Sequence, residues 1–342
     1  MINSQPYHQF QASDFVLVDV RSPSEFAEAH IPGAINIPLL NDEHRKLVGT
    51  AYKQTGKDAA MKLGYELVNP IQHSFVPMLQ SQTDAKSIKI YCARGGLRSN
   101  LMCQFFQEQG YEVLHLKGGY KAYRNHILST IAAFKNLCIV SGYTGSGKTE
   151  VLQALRSIGE KVIDLEALAH HRGSAFGALG QSEQPSSAMF HNLIYEQIKD
   201  VHPNATIWLE SESVTIGKVY LPKELWENMR QSDGYEIIVP VEERVKHTLK
   251  LYGSFETEYL IACIRQLERR LGNEEMQLLC ALTDIGELEP VVKRLLKYYD
   301  KAYDHGRQKR ESHKFVKLYF PALEPLKIAK FLQDLKNKTA NT

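Results

Sequence analysis

The chain has 342 residues, 43% of them hydrophobic and 23% charged, with a formal net charge of +2 at pH 7. That length exceeds what one core usually serves, so two domains are expected, and the composition excludes a disordered, fibrous or collagenous chain. No apolar run approaches the roughly 18 to 20 residues of a membrane span, and the opening MINSQPYHQF has neither the basic stretch nor the apolar core of a signal peptide. The five cysteines show no CxxC spacing and are too sparse for a disulfide framework. A cytoplasmic protein without membrane association is the expectation.

In chain order, FVLVDV (15–20) is an apolar, β-branched run that predicts a buried strand. SPSEF then supplies Ser22 as N-cap, Pro23 at the first helical position and Glu25 three residues after the cap, a capping box. HIPGAINIPL predicts a turn and a strand, SIKIYC (87–92) a strand ending at a cysteine, SNLMCQFFQEQGY a helix closed by Gly110, and EVLHLKGGY a further strand and turn. Strands alternating with helices predict a parallel α/β sheet. KAYRNHILSTIAAF is helical in pattern and leads into NLCIVSGYTGSGKTE, an apolar strand feeding a glycine loop. Strands are further expected at KVIDLE (161–166), ATIWLE (205–210) and EIIVPV (236–241). The boundary is placed so that residues 12–134 form one α/β domain and 135–342 a second, with a helical, basic C-terminal region from about 242. From Val291 onward 13 Lys and Arg stand against 5 Asp and Glu. Such an excess suits contact with RNA or simply a solvated helix face. Tyr298, Tyr299 and Tyr303 within it read as core or as stacking platforms, with core preferred, and Lys309 and Arg310 as RNA contacts.

YCARGGLRSN (91–100) holds a cysteine, two glycines and two arginines in eight positions. A thiol becomes nucleophilic when cations and a helix N-terminus stabilise its thiolate. Cys92 at a strand end meets that description. Gly95 and Gly96 let backbone N–H groups turn inward as a nest for an anion. Arg94 and Arg98 add charge, and Ser99 opens the helix. The alternative, an inert core thiol, suits Cys103, Cys138, Cys263 and Cys280 in their apolar surroundings. VDVRSPSEFAEAHIPGAINIP, YCARGGLRS and LKGGYKAY resemble a rhodanese domain over about residues 12 to 130, matching at Asp19, Arg21, Glu25, His30, Ile31, Gly33, Ala34, Asn36, Pro38, Cys92, Gly118 and Gly119. In rhodaneses the loop cysteine carries transferable sulfur. Five residues separate Cys92 from Arg98, one more than in the usual sulfurtransferase and the same as in CX5R phosphatases. The larger loop suits a phosphate, or a phosphate bearing sulfur or selenium.

GYTGSGKT (142–149) fits G-x-x-x-x-G-K-[ST] between a predicted strand and helix. Gly142, Gly145, Ser146, Gly147 and Lys148 are expected to cradle a diphosphate, and Thr149 to hold Mg²⁺. The acid completing that site is Asp164 or Glu166, or Glu210 or Glu212; each serves the metal or caps a helix. His170, His171 and Arg172 in AHHRGSAFG read as phosphate or RNA contacts, or as surface residues of a loop.

The order of the two units, with DLEALAHHRGSAFG, QPSSAMFHNLIYEQI, LESESVTIGKVYLP and LLKYYDKAYDHG, resembles the bacterial tRNA 2-selenouridine synthase family over nearly the whole chain. The resemblance implies an N-terminal rhodanese-like domain and a C-terminal P-loop NTPase-like α/β domain with a helical C-terminal part. It implies a transferase that converts 2-thiouridine to 2-selenouridine at the wobble position (U34) of tRNAs for Lys, Glu and Gln. The route runs through an S-geranyl intermediate made from geranyl diphosphate, with selenophosphate as selenium donor. On that basis the P-loop holds the prenyl diphosphate, with Mg²⁺ at the leaving group. Cys92 carries selenium as a selanyl-cysteine or delivers it directly. A monomer with no tightly bound organic cofactor is expected. Apart from the resemblance, the rival readings are an ATP-dependent rhodanese-type sulfurtransferase, a non-enzymatic sulfur-carrier scaffold and a CX5R phosphatase.

Overall fold

The structure, a computed structural model, describes residues 2–7, 15–308 and 315–339. Lys309 and Arg310, read as RNA contacts, lie outside the described residues. The chain divides into two compact units, Met1–Thr130 with His191–Glu196, and Ile131–Phe190 with Gln197–Thr342.

The first unit is built on β1 (Asn3–Gln5), β2 (Val16–Asp19), β3 (Ile35–Asn36), β4 (Ser87–Tyr91) and β5 (Glu112–Leu116). They form one sheet in the order β1-β5-β4-β2-β3, every neighbouring pair parallel. Val18, Ile88, Ile90, Met102 and Phe106 are fully buried in its core. The register sets Ser4 and Ile90 on either side of His115, so all three lie in one row across the sheet. Asp19 and Arg21 form a buried ion pair at 2.6 Å, and Arg21 also donates to Ala29 O at 2.7 Å, which pins the turn after β2. The expected helix is Pro23–Glu28, with the Glu25 carboxylate accepting the Ser22 N–H at 3.2 Å. The helix after the cysteine begins at Leu97, inside the glycine loop, and ends at Glu108. Two helices between β3 and β4, Asp42–Gln54 and Lys57–Val68, carry few buried residues, so their apolar spacing gave little signal in the sequence.

The second unit contains β6 (Leu137–Gly142), β7 (Lys161–Ile163), β8 (Ile207–Glu210), β9 (Thr215–Ile216), β10 (Val219–Tyr220), β11 (Gly234–Ile238) and β12 (Phe315–Tyr319). Five of them form a parallel sheet, β12-β11-β6-β8-β7, while β9 and β10 make a small antiparallel hairpin. Trp208, Ile237, Leu152 and Leu155 are buried in its core together with Ile328 and Leu332 of the helix Pro325–Thr339. The strand expected over KVIDLE stops at Ile163, because Asp164 accepts the Ala167 N–H at 2.9 Å and caps the helix Leu165–Ala169. Helices Val241–Tyr252, Thr257–Arg265, Asn273–Asp284 and Leu288–Gln308 fill the region read as helical. Three of them bury Leu260, Ile264, Leu279, Val291 and Leu295 in an apolar cluster of their own. β12 then returns the chain to the sheet edge, which the basic composition of the segment had concealed. No helix among the described residues is long and apolar enough to cross a membrane.

Candidate active sites

Each unit carries one phosphate-type loop at the carboxyl end of a parallel strand, where open α/β sheets bind ligands. In the first unit Cys92 follows β4 directly and is 3% exposed. Gly95 adopts φ +63°, and a side chain there would meet Gly118 N at 2.7 Å and Leu116 O at 2.8 Å. Tyr120 N–H donates to Cys92 O at 2.8 Å and Lys121 N–H to Ala93 O at 3.0 Å, which ties the loop to the glycine turn after β5. Among the described residues, the N–H groups of Arg94, Gly95, Gly96 and Leu97 meet no acceptor, so the loop is a ready anion nest at a helix N-terminus.

The two loop arginines differ. Arg94 is exposed, whereas Arg98 is held by Glu25, with N–O distances of 2.6 and 3.3 Å. Burial alone would raise the Glu25 carboxyl, but the hydrogen bond and charge of Arg98 outweigh it and hold the group below its usual value. Arg98 is thus engaged by Glu25, whereas the Arg94 guanidinium is open to solvent. Ser99 lies with its Oγ 3.1 Å from Cys92 Sγ and 2.8 Å from His115 Nε2. His115 was absent from the sequence reading. Burial pushes the Cys103 and Cys138 thiols up to about 12 and raises that of Cys263.

In the second unit β6 ends in the loop Gly142–Thr149, which leads into the helix Lys148–Ser157. Gly145 (φ +79°) and Gly147 (φ +71°) turn the backbone into the left-handed region, and a side chain on Gly147 would strike Leu323 at 2.5 Å. Among the described residues the N–H groups of Thr144, Gly145, Gly147 and Lys148 have no acceptor. The Lys148 ammonium lies 3.1 Å from Gly142 O, across the loop. Ser146 is buried, with a hydroxyl that meets no partner among the described residues. Arg244, which the sequence reading missed, supports the loop: it donates to Thr144 O at 2.9 Å and is fixed by Asp300 at 2.6 and 2.9 Å.

The four candidate acids separate by role. Asp164 is the helix cap just described. Thr149 Oγ1 donates to Glu166 Oε2 at 3.1 Å, and Glu166 and Glu212 line the cavity in front of Lys148. Glu210, at the end of β8, is 1% exposed and accepts the Glu166 N–H at 2.8 Å, while its second oxygen is buried without a partner among the described residues. Burial raises the carboxyls of Glu166, Glu210 and Glu212, and mutual repulsion adds to it for Glu210 and Glu212. Among the described residues no three His, Cys, Asp or Glu side chains form a complete metal cage.

That cavity holds about 320 Å³ and also takes in Arg172 and His247, whose Nε2 is 2.9 Å from Glu150 Oε1. His170 and His171 are elsewhere on their loop. His170 pairs with Glu183 O at 2.8 Å, and His171 accepts the Gly173 N–H at 3.1 Å. An apolar cavity of about 60 Å³ adjoins the first and shares Thr144, Ser174, Thr248, Tyr252 and Tyr299 with it. Phe176, Leu249, Leu260, Ile264, Val291 and Leu295 line it. Tyr298 and Tyr299 pack in the apolar cluster, as preferred from sequence, and Tyr303 bonds to the Ser141 hydroxyl at 2.7 Å.

Residues 135–319 match the family model described as tRNA 2-selenouridine synthase AAA domain, and residues 5–126 match the rhodanese-like domain model. A tRNA 2-selenouridine synthase of Shewanella denitrificans is 34% identical over 340 residues, covering 88% of this chain and 90% of the relative. That of Nitrosomonas europaea is 39% identical over 70% of this chain and 64% of its own length, and that of a Sulfurovum species 32% identical over 88% and 93%.

Proposed function

The chain belongs to the tRNA 2-selenouridine synthase family, and from that membership we propose that it exchanges sulfur for selenium on the wobble uridine (U34) of tRNA, one transfer at each phosphate loop. In the first transfer the sulfur of 2-thiouridine attacks C1 of geranyl diphosphate, and the N3–H proton is released to water as the C2–N3 double bond forms. The C–O bond breaks, and diphosphate departs into the N–H groups of the P-loop and the Lys148 ammonium. Thr149, with Glu166 and Glu212 beside it, is a hard-oxygen donor set that fits Mg²⁺ without an all-protein cage. The ion would supply charge neutralisation at the leaving group.

The second transfer uses the Cys92 loop. A bare thiocarbonyl leaves C2 poorly, whereas its S-alkylated form departs as a neutral thiol. Selenium in selenophosphate is already reduced, so passage through an S–Se bond on Cys92 would need a two-electron oxidant. Direct delivery needs none: selenium attacks C2, geranylthiol leaves, and the remaining Se–P bond is cleaved at phosphorus. The Cys92 thiolate is the nucleophile for that cleavage. Its electron pair forms an S–P bond while the Se–P electrons stay on selenium, and water then releases phosphate from sulfur. The nest of Arg94 to Leu97 and the Arg94 guanidinium hold the phosphate. The substrates are tRNAs of the Lys, Glu and Gln type, met by a monomer whose basic residues after Val291 pair with RNA phosphates.

The observation that carries the prenyl assignment is the apolar cavity sharing walls with the P-loop cavity, since a diphosphate site with a hydrocarbon annex suits a prenyl donor. At about 60 Å³ it is smaller than a ten-carbon chain, so occupation requires the surrounding helices to part or the chain to extend through its open side. Calorimetry tests the assignment. Ile264→Phe, which fills the cavity, should weaken geranyl diphosphate about tenfold, some 1.4 kcal/mol, and leave inorganic diphosphate nearly unchanged. Equal effects on both ligands, or none on either, would contradict it.

A further inference from the structure

The chemistry above requires a thiolate at Cys92, yet the sulfur is buried and the described contacts include no side-chain base bonded to it directly. We propose that His115 is the proton acceptor for Cys92, acting through Ser99, and that the same row of groups leads the proton to the surface at Ser4. This rests on the reading of Cys92 as a nucleophile.

Four side chains form an unbroken hydrogen-bonded row. Cys92 Sγ is 3.1 Å from Ser99 Oγ, Ser99 Oγ is 2.8 Å from His115 Nε2, and His115 Nδ1 is 2.9 Å from Ser4 Oγ. Ser99 is wholly buried and His115 is 3% exposed, whereas Ser4 on the edge strand β1 is exposed, so the row runs from an enclosed thiol to solvent. The fold fixes each member. Cys92 follows β4 and shares the parity of Ile90; His115 lies beside Ile90 on β5, and Ser4 lies beside His115 on β1. Ser99 sits in the first turn of the helix that opens the loop.

The relay-competent donor direction has the thiol donating to Ser99, Ser99 to Nε2 and Nδ1–H to Ser4; in the opposite one Nε2–H donates to Ser99, Ser99 to Gly96 O and Ser4 to Nδ1. Ser99 has a second acceptor in Gly96 O at 3.1 Å, longer than its contact with His115. Burial lowers the imidazole below its ordinary value, which keeps the ring neutral at rest and Nε2 able to accept. The Cys103 thiol interacts electrostatically with Cys92 and is itself pushed up to about 12, and the charged groups of the loop are Arg94, which is exposed, and Arg98, which is paired with Glu25. When phosphorus is attacked, the S–H proton moves to Ser99 and the Ser99 proton to His115, giving thiolate and imidazolium with no net change of charge. His115 is thus a positioning and relay residue and touches no substrate.

The test is the pH dependence of Cys92 alkylation by iodoacetamide, resolved by site with mass spectrometry on the full-length chain. His115→Gln and Ser99→Ala should each raise the Cys92 midpoint by about one unit. Alkylation would then slow roughly tenfold at pH 7 and converge with the wild type at high pH, while Cys103 stays unchanged. A midpoint that does not move in His115→Gln, or a loss of rate equal at every pH, would overturn the proposal. A second measurement needs no substitution: long-range proton–nitrogen spectra should find His115 as the Nδ1–H tautomer, and the Nε2–H tautomer would overturn it. Neither measurement uses tRNA, prenyl donor or selenophosphate, so failure of the selenation scheme and failure of the relay are distinguishable.

Discussion

Arg94 and Arg98 carry the same charge four residues apart, and only contact with Glu25 separates their roles. That pairing spans 73 positions, so spacing within the loop could not reveal it. The same carboxylate also accepts the Ser22 N–H, which joins the capping box legible in SPSEF to the anion loop. Charge-assisted hydrogen bonds of this kind contribute about 1.5–3 kcal/mol each, and both side chains here are partly buried. Glu25→Gln should therefore lower unfolding free energy by about 1–2 kcal/mol at pH 7, measured in urea. Because the folded Glu25 carboxyl lies below its usual value, the pair's stabilisation is present above that value and is lost as the pH falls through the folded one. The gap between variant and wild type should accordingly close in acid, and a gap independent of pH would contradict the assignment. His115 was missed for the same reason as the pairing of Glu25 with Arg98: its partners come from β1 and from a helix, and neither is close to it in sequence.

At the scale of elements, strands were more legible than their ends. β2, β4, β6 and β8 fall within the predicted apolar runs, since burial on both faces leaves an apolar signature, whereas β11 (Gly234–Ile238) starts two residues before its predicted run of 236–241 and ends three before it does. β7 was overextended because Asp164 continues an apolar run while its side chain caps the next helix. Asp164→Ala should lose about 1 kcal/mol of stability. It should also release Glu166 from the position in which it accepts from Thr149, weakening Mg²⁺-dependent diphosphate binding measured by calorimetry; unchanged Mg²⁺ dependence would separate the cap from the site. The glycine turn after β5 is stricter. Gly119 has φ +58°, and an added Cβ would lie 2.2 Å from Cys92 O and 2.5 Å from Gly95 N. Gly119→Ala should thus displace the cysteine loop and destabilise the first unit by more than about 2 kcal/mol. Calorimetric melting should show that transition falling while the second unit's transition stays in place.

Across the whole molecule, both compact units repeat one physical solution: a parallel strand, a glycine-bearing loop of unpaired N–H groups and a helix N-terminus. The loops were legible because glycine, lysine, arginine and cysteine at fixed spacing have a chemical reason to be together. The apolar cavity beside the P-loop was not, because its walls come from helices and loops spread over residues 144–299 whose apolar positions look like any core. Cys92→Ser should leave geranylation intact and block release of phosphate from selenium, and Lys148→Ala should suppress geranylation by at least about a hundredfold.

The most direct measurement is nucleoside mass spectrometry on a 2-thiouridine anticodon stem-loop incubated with Mg²⁺ and geranyl diphosphate, before and after addition of selenophosphate, for the wild type and these two variants. The expected result is a geranyl group gained and then exchanged for selenium by the wild type, loss of the geranyl group with phosphate retained on selenium with Cys92→Ser, and unchanged 2-thiouridine with Lys148→Ala before selenophosphate is added. Loss of geranylation in folded Cys92→Ser would contradict the division of labour between the loops. No geranyl transfer by the wild type, with ATP hydrolysis in a parallel reaction, would contradict the prenyl assignment and favour an ATP-dependent sulfurtransferase.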